Sequence, residues 1–270
     1  MPRSDWTDLP DAMSRAITAR TGPVLSTRSA PTGNHADVAI TVRTADGAVF
    51  VKAARKLDAD RDGPEVWSLR RESAIAPHAP PLAPRLLWQE EAGGWMALGF
   101  EHVPGRTAVF TPGSPDLDLL AQVVHTLQDH PCPDAVDLNV EQRWANLTDD
   151  VSPMAGDTLL HTDLNPKNLI IDENDHVHVV DWALTSRGAP WIEIGQLIPW
   201  LILDGHSPTQ AEAWATRFTS WSTTPPPTID LYSHLATKFW QHRSDNHPAP
   251  WMPPYLDAWK QWTTYRTHAP

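Results

Sequence analysis

Cysteine is nearly absent from this chain. Cys132 is the only one among 270 residues, which excludes an internal disulfide and fits a reducing compartment such as the cytoplasm. Long apolar runs are missing too. No window approaches the roughly 18 apolar residues of a membrane span, and Met1-Pro2-Arg3-Ser4-Asp5-Trp6 opens the chain without the apolar core of a signal segment. The densest apolar stretch, Trp191 to Leu203, contains Glu193 and Gln196 and reads as a buried helix. Positive charge is in deficit, with 21 Lys and Arg against 33 Asp and Glu and a net charge of −12. That balance argues against nucleic acid as a partner, because phosphate backbones need a basic face. It suits a cationic small molecule, but plain solubility is the favoured reading. Glycine is scarce, 13 against 27 prolines, so interrupted elements and ordered loops are expected rather than a long coiled coil. No internal repeat and no low-complexity tract is present.

What is there is the composition of a globular chain, 41% hydrophobic and 20% charged, long enough for one large domain or two lobes. Residues 1–20 carry Leu9, Met13, Ala16 and Ile17 at helical spacing. Residues 38–43 alternate like a strand, Ala45-Asp46-Gly47 is a turn signal, and Ala48 to Lys52 reads as the return strand. A helix is expected over about 64–77, an extended piece over 83–88 and a strand from Trp95 to Phe100. Ser114-Pro115 has the form of a helix start, followed by an apolar stripe of Leu117, Leu120, Val124 and Leu127. Nine of the 14 tryptophans lie from Trp182 onward, so the second half supplies most of the large apolar surface. Ser207-Pro208-Thr209-Gln210 has capping-box form. Helices are expected over about 228–243 and 254–266.

The most specific pattern is His161-Thr162-Asp163-Leu164-Asn165-Pro166-Lys167-Asn168, followed by Val179-Val180-Asp181. Leu169-Ile170-Ile171, a turn at Glu173-Asn174-Asp175 and Val177 to Val180 read as a hairpin that brings Asn168 and Asp181 near each other. Phosphoryl transfer needs these parts. One carboxylate, Asp163, orients an acceptor hydroxyl and takes its proton. An amide oxygen, Asn168, and a second carboxylate, Asp181, are hard ligands suited to Mg2+. His161 is expected to brace the loop rather than to do chemistry. A lone Asp-x-x-x-x-Asn would be read as a polar turn, but the full set with its intervening strands favours function.

These segments resemble the catalytic and metal-binding motifs of the aminoglycoside phosphotransferase family, and a weaker likeness extends over roughly residues 20–245. The resemblance implies an α+β, bilobal protein-kinase-like fold. A nucleotide-binding lobe with an antiparallel sheet would cover 1–103, and a mainly helical catalytic and acceptor-binding lobe 104–270. It implies Asp163 as catalytic group, Asn168 and Asp181 as Mg2+ ligands, and ATP or GTP as phosphoryl donor. Lys52, closing Val49-Phe50-Val51-Lys52, resembles the kinase lysine that contacts phosphates, with Glu72 as its expected acidic partner and Glu65 as the alternative. Glu101 to Val103 resemble the hinge whose backbone binds adenine. Thr32-Gly33-Asn34-His35-Ala36-Asp37 falls where a phosphate-covering loop belongs, with one glycine instead of three. Three departures stand out: Thr162 replaces a usual glycine or other small residue, Lys167 replaces a glycine or acid, and Trp182 follows Asp181 in place of Phe-Gly.

The helical part should build the acceptor pocket. Trp182, Trp191, Glu193, Trp200, Asp204, Glu212 and Trp240 combine indole faces with carboxylates, which suits a cation, although each tryptophan alone also suits a core. Glu193, inside an apolar stretch, needs a partner, for which Arg187 is the candidate. The expected activity is ATP-dependent phosphorylation of a hydroxyl on a small polar, cationic antibiotic or related metabolite. A kinase of an endogenous amino alcohol, sugar or biosynthetic intermediate and a catalytically silent nucleotide-binding protein are the alternatives.

Overall fold

The computed structural model describes residues 5–30, 36–58 and 60–268. Helix α1 (Asp11–Thr21) begins at Asp11 rather than at the chain start, because Pro10 holds an extended ψ of 149° ahead of it. The strands β1 (Ser26–Ser29), β2 (Val38–Thr44) and β3 (Gly47–Arg55) follow, then α2 (Pro64–Ile75), β4 (Leu86–Ala92) and β5 (Trp95–Glu101). A two-residue strand β6 (Arg106–Thr107) precedes α3 (Asp116–Asp129). Short strands β7 (Thr158–Leu160), β8 (Leu169–Ile171), β9 (Val177–Val179) and β10 (Ser186–Gly188) lead to α4 (Trp191–Leu203), α5 (Pro208–Ala215), α6 (Thr219–Ser222), α7 (Pro226–Asn246) and α8 (Met252–His268). Thr32 to His35 of the expected phosphate-covering loop lie outside the described residues.

Two compact units result: Met1–Arg106 with Lys167–Leu184, and Thr107–Pro166 with Thr185–Pro270. In the first, an antiparallel sheet has the order β1-β2-β3-β5-β4. Both faces of its middle are covered, so β2, β3 and β5 are apolar on both sides rather than alternating. One face packs Val51, Ala53 and Trp95 with Met13 and Ile17 of α1. The other packs Ala54, Met96, Leu98 and Phe100 with Val66 and Leu69 of α2. Successive side chains of a strand point to opposite faces, so Lys52 shares the α2 side with Phe50 and Ala54. On α2 the buried residues Val66, Leu69, Glu72 and Ile75 form one stripe, which carries a carboxylate onto the apolar face. The β8–β9 hairpin joins this unit through Val179 N–H, which donates to the Leu82 carbonyl at 2.9 Å.

The second unit is mainly helical, with β7 and β10 as a small antiparallel pair. Its core is aromatic. The Tyr232 ring sits edge-on to Trp144, Trp191, Trp259 and Trp262 at 5.1–6.2 Å between centroids. Gly195 of α4 is needed there, because a Cβ at that position would lie 2.8 Å from the Tyr232 ring. The expected capping box at Ser207 and Gln210 is present.

Candidate active site

In the first unit, Lys52 is 7% and Glu72 3% exposed. The Lys52 ammonium donates to both Glu72 oxygens at 2.8 Å and to Asp181 Oδ1 at 2.9 Å. Burial alone would lower the Lys52 pKa, but the Asp181 and Glu72 carboxylates outweigh it and hold the ammonium above its usual range. Burial pushes Glu72 up against the pull of Lys52. Glu72 also accepts the Trp182 backbone N–H at 3.3 Å. Asp181 follows β9 with a positive φ of 70°, and Val180 N–H donates to the Asn168 carbonyl at 2.9 Å. The hairpin thus holds residues 168 and 181 at one end.

The chemistry of these donors fits a Mg2+ ion. Two carboxylates against one ammonium leave an excess negative charge, and the Asn168 amide adds a neutral hard oxygen. Among the described residues no three His, Cys, Asp or Glu side chains cluster as a metal site, so a cation here would complete its shell from phosphate and water.

Glu101 ends β5 at the surface, where its N–H donates to the Arg85 carbonyl at 2.9 Å and its carboxylate accepts from Arg85 at 3.2 Å. Val103 lies half-buried in the segment after β5. Trp182 is core of this unit, with its indole N–H on the Val179 carbonyl at 2.8 Å. It therefore does not belong to the helical part where the acceptor pocket was expected.

Asp163 belongs to the second unit, on the loop after β7. It is half-buried. Asn165 Nδ2 donates to the Asp163 carbonyl at 2.9 Å and to its Oδ1 at 3.3 Å. Asp163 N–H donates to His161 Nδ1 at 3.3 Å, so the fully buried His161 braces the loop from within. Thr162 stands between them with φ of 63°. A β-branched residue in this left-handed region costs on the order of 1–3 kcal/mol unless the surroundings impose it.

Those surroundings are specific. Thr162 N–H donates to both Glu193 oxygens at 3.1 and 3.2 Å. Arg143 Nη2 donates to Thr162 Oγ1 at 2.6 Å and to Ser186 Oγ at 3.3 Å. Burial pushes the Glu193 carboxyl up to about 7, against the backbone N–H groups of Thr162 and His161 and the Arg143 charge. The expected partner of Glu193, Arg187, instead pairs with Asp157 at 3.0 Å. Backbone donors carry no residue-type signature, which is why the true partners were not legible. Arg143 was missed altogether, since it lies on a 3-10 turn (Val140–Trp144) far upstream of the motif.

Of the expected acceptor groups, Glu212 is bound by Arg266 at 3.0 Å and by the Trp262 indole at 2.7 Å. Asp204 accepts the Phe110 N–H at 3.2 Å, and Trp191 is core. Trp200, Trp240 and Trp251 are half-buried around Tyr255, at 4.5, 5.1 and 5.9 Å between centroids. The Tyr255 phenol is pushed up, chiefly by burial and also by the negative charge of Asp163.

Residues 109–228 match the sequence profile of the phosphotransferase enzyme family. No curated protein sequence matches. Among solved structures, the aminoglycoside phosphotransferase APH(4)-Ia is 13% identical over 92% of this chain and 98% of its own, with a TM-score of 0.62. The choline kinase LicA from Streptococcus pneumoniae is 15% identical over 94% of this chain and 99% of its own, with a TM-score of 0.61. The spectinomycin phosphotransferase APH(9)-Ia, solved with ADP and spectinomycin, is 8% identical over 94% of each chain, with a TM-score of 0.57. The profile match over residues 109–228 makes this chain similar to phosphotransferases, and the likeness to the solved structures shows that it shares their protein-kinase-like fold.

Proposed function

We propose that the chain transfers the γ-phosphoryl group of ATP, or of GTP, to a hydroxyl of a small cationic acceptor, an antibiotic or a related metabolite. The observation that carries this reading is the buried Lys52–Glu72–Asp181 triad. A lysine kept charged in an apolar setting by two carboxylates is poised to meet phosphate oxygens, and Glu72 holds it in place. Asn168 and Asp181 would hold Mg2+, which would offset charge on the phosphates. Asp163, steadied by the Asn165 amide and by the His161 ring, would orient the acceptor hydroxyl and take its proton. Glu101 to Val103 would meet adenine through backbone groups.

A cationic acceptor is supported by the half-buried indoles of Trp200, Trp240 and Trp251 in the unit that holds Asp163, since indole faces attract ammonium groups. The same feature suits an endogenous amino alcohol, the second reading, and the fold likeness to a choline kinase favours it as much as the likeness to the antibiotic kinases does.

The test is ADP release by purified protein with MgATP or MgGTP against choline, spectinomycin, hygromycin B and related amines. Asp163→Asn should lower turnover by at least about a thousandfold while ATP binding and the melting temperature stay near wild type. Near-normal turnover in that variant would remove Asp163 from the mechanism. No nucleotide consumption with any acceptor would leave a silent nucleotide-binding protein.

A further inference from the structure

The residue before Asp163 sits in a backbone conformation that glycine adopts freely and threonine resists. Thr162 has φ of 63°, is 5% exposed, and carries a hydroxyl that the reaction as described does not use. That hydroxyl accepts a hydrogen bond from Arg143 Nη2 at 2.6 Å. Arg143 reaches it from the Val140–Trp144 turn and is anchored beyond it on Ser186 Oγ at 3.3 Å. The guanidinium is a rigid planar donor, so it fixes the side-chain direction of Thr162 and with it the peptide that leads into Asp163. Glu193 holds the N–H of the same residue, so Thr162 is gripped at its backbone and at its side chain.

We propose that Arg143 is a positioning residue for phosphoryl transfer: by clamping the Thr162 hydroxyl it holds a β-branched residue in the left-handed conformation that orients the Asp163 carboxylate. A glycine at that position would need no clamp, whereas threonine without one would relax and carry Asp163 with it. The clamp therefore matters only while a side chain stands at position 162. This inference rests on the role proposed for Asp163.

The experiment is a double-mutant cycle on the full chain, read as kcat and KM for MgATP with the best acceptor of the panel. R143M should lower kcat by about a hundredfold and leave KM for MgATP within about threefold, because a displaced Asp163 affects the chemical step rather than nucleotide binding. In the T162G background the same R143M change should cost less than about fivefold. T162V, which keeps the shape but removes the acceptor oxygen, should fall about as far as R143M, and T162S should stay near wild type.

Circular dichroism checks folding. If R143M does not fold, the T162V and T162S pair decides: a loss in T162V with retention in T162S supports the clamp. Equal turnover in wild type, R143M and T162V would overturn the inference while leaving the functional reading intact. So would an R143M loss of the same size with and without T162G. A wild-type chain with no turnover on any acceptor would remove the functional reading, and this inference with it.

Discussion

Glu72 and Glu193 are buried to similar depth, 3% and 1% exposed, one in each unit, and they are satisfied by opposite means. Glu72 faces a cation: Lys52 donates to both of its oxygens, and Asp181 shares that cation. Glu193 faces peptide N–H groups, with Arg143 acting on it at longer range. The contrast shows two ways to keep a carboxylate in an apolar setting. An ion pair holds a charge in place and needs its partner intact. A set of backbone dipoles holds a shape, and burial raises the Glu193 pKa to about 7 against the pull of those N–H groups.

The largest effect should come from breaking the ionic side. Lys52→Met leaves Glu72 and Asp181 buried without their cation, so we expect a loss of about 3–5 kcal/mol in urea unfolding together with loss of nucleotide turnover. An unchanged urea midpoint would mean that water reaches both carboxylates. Glu72→Gln is milder, because Asp181 still compensates Lys52. A loss of about 1–3 kcal/mol is expected, with a raised KM for MgATP in steady-state assays.

The dipolar side should show itself through pH. The native Glu193 pKa of about 7 lies above the ordinary carboxylate value of 4.5, so the native state holds the proton more tightly than the unfolded chain does. Its stabilising contribution is complete below the unfolded pKa and is lost as pH rises through the native one. Between pH 4.5 and about 7 this group should therefore remove stability, up to about 3 kcal/mol. Glu193→Gln should flatten that part of a melting-temperature profile measured from pH 4 to 8. A variant profile parallel to wild type would show that Glu193 does not titrate differently on folding. The smallest effect should come from a surface pair outside both networks. Arg85 and Glu101, 3.2 Å apart with both side chains largely exposed, should show no measurable change in urea midpoint on Arg85→Ala.

Legibility in the sequence followed the range over which the physics acts. The strand ending at Lys52 and the helix carrying Glu72 were readable, and the resemblance to the kinase lysine paired the two residues in advance; they meet at 2.8 Å. The apolar stripe of α3 and the buried helix α4 were readable for the same reason. Strand β1 was not, because Ser26-Thr27-Arg28-Ser29 is polar and mostly exposed, and only its pairing with β2 makes it a strand. Glu193 was recognisable as a buried acid in need of partners, yet those partners are largely peptide groups that any residue could supply. Arg143 had no local signal at all, since its significance lies in a hydroxyl 19 positions away along the chain.

By itself, the amino-acid order determined the expectation that Asp163, Asn168 and Asp181 are functional oxygen donors, the lysine on its strand and the acidic, aromatic character of the chain, because each depends on residue type and short spacing. Tertiary structure alone decided that Thr162 takes a left-handed turn and that Arg143 reaches its hydroxyl. It also decided that Glu193 binds a loop instead of Arg187. Those outcomes depend on which distant backbone and side-chain groups packing brings within hydrogen-bond distance, and no local pattern encodes that.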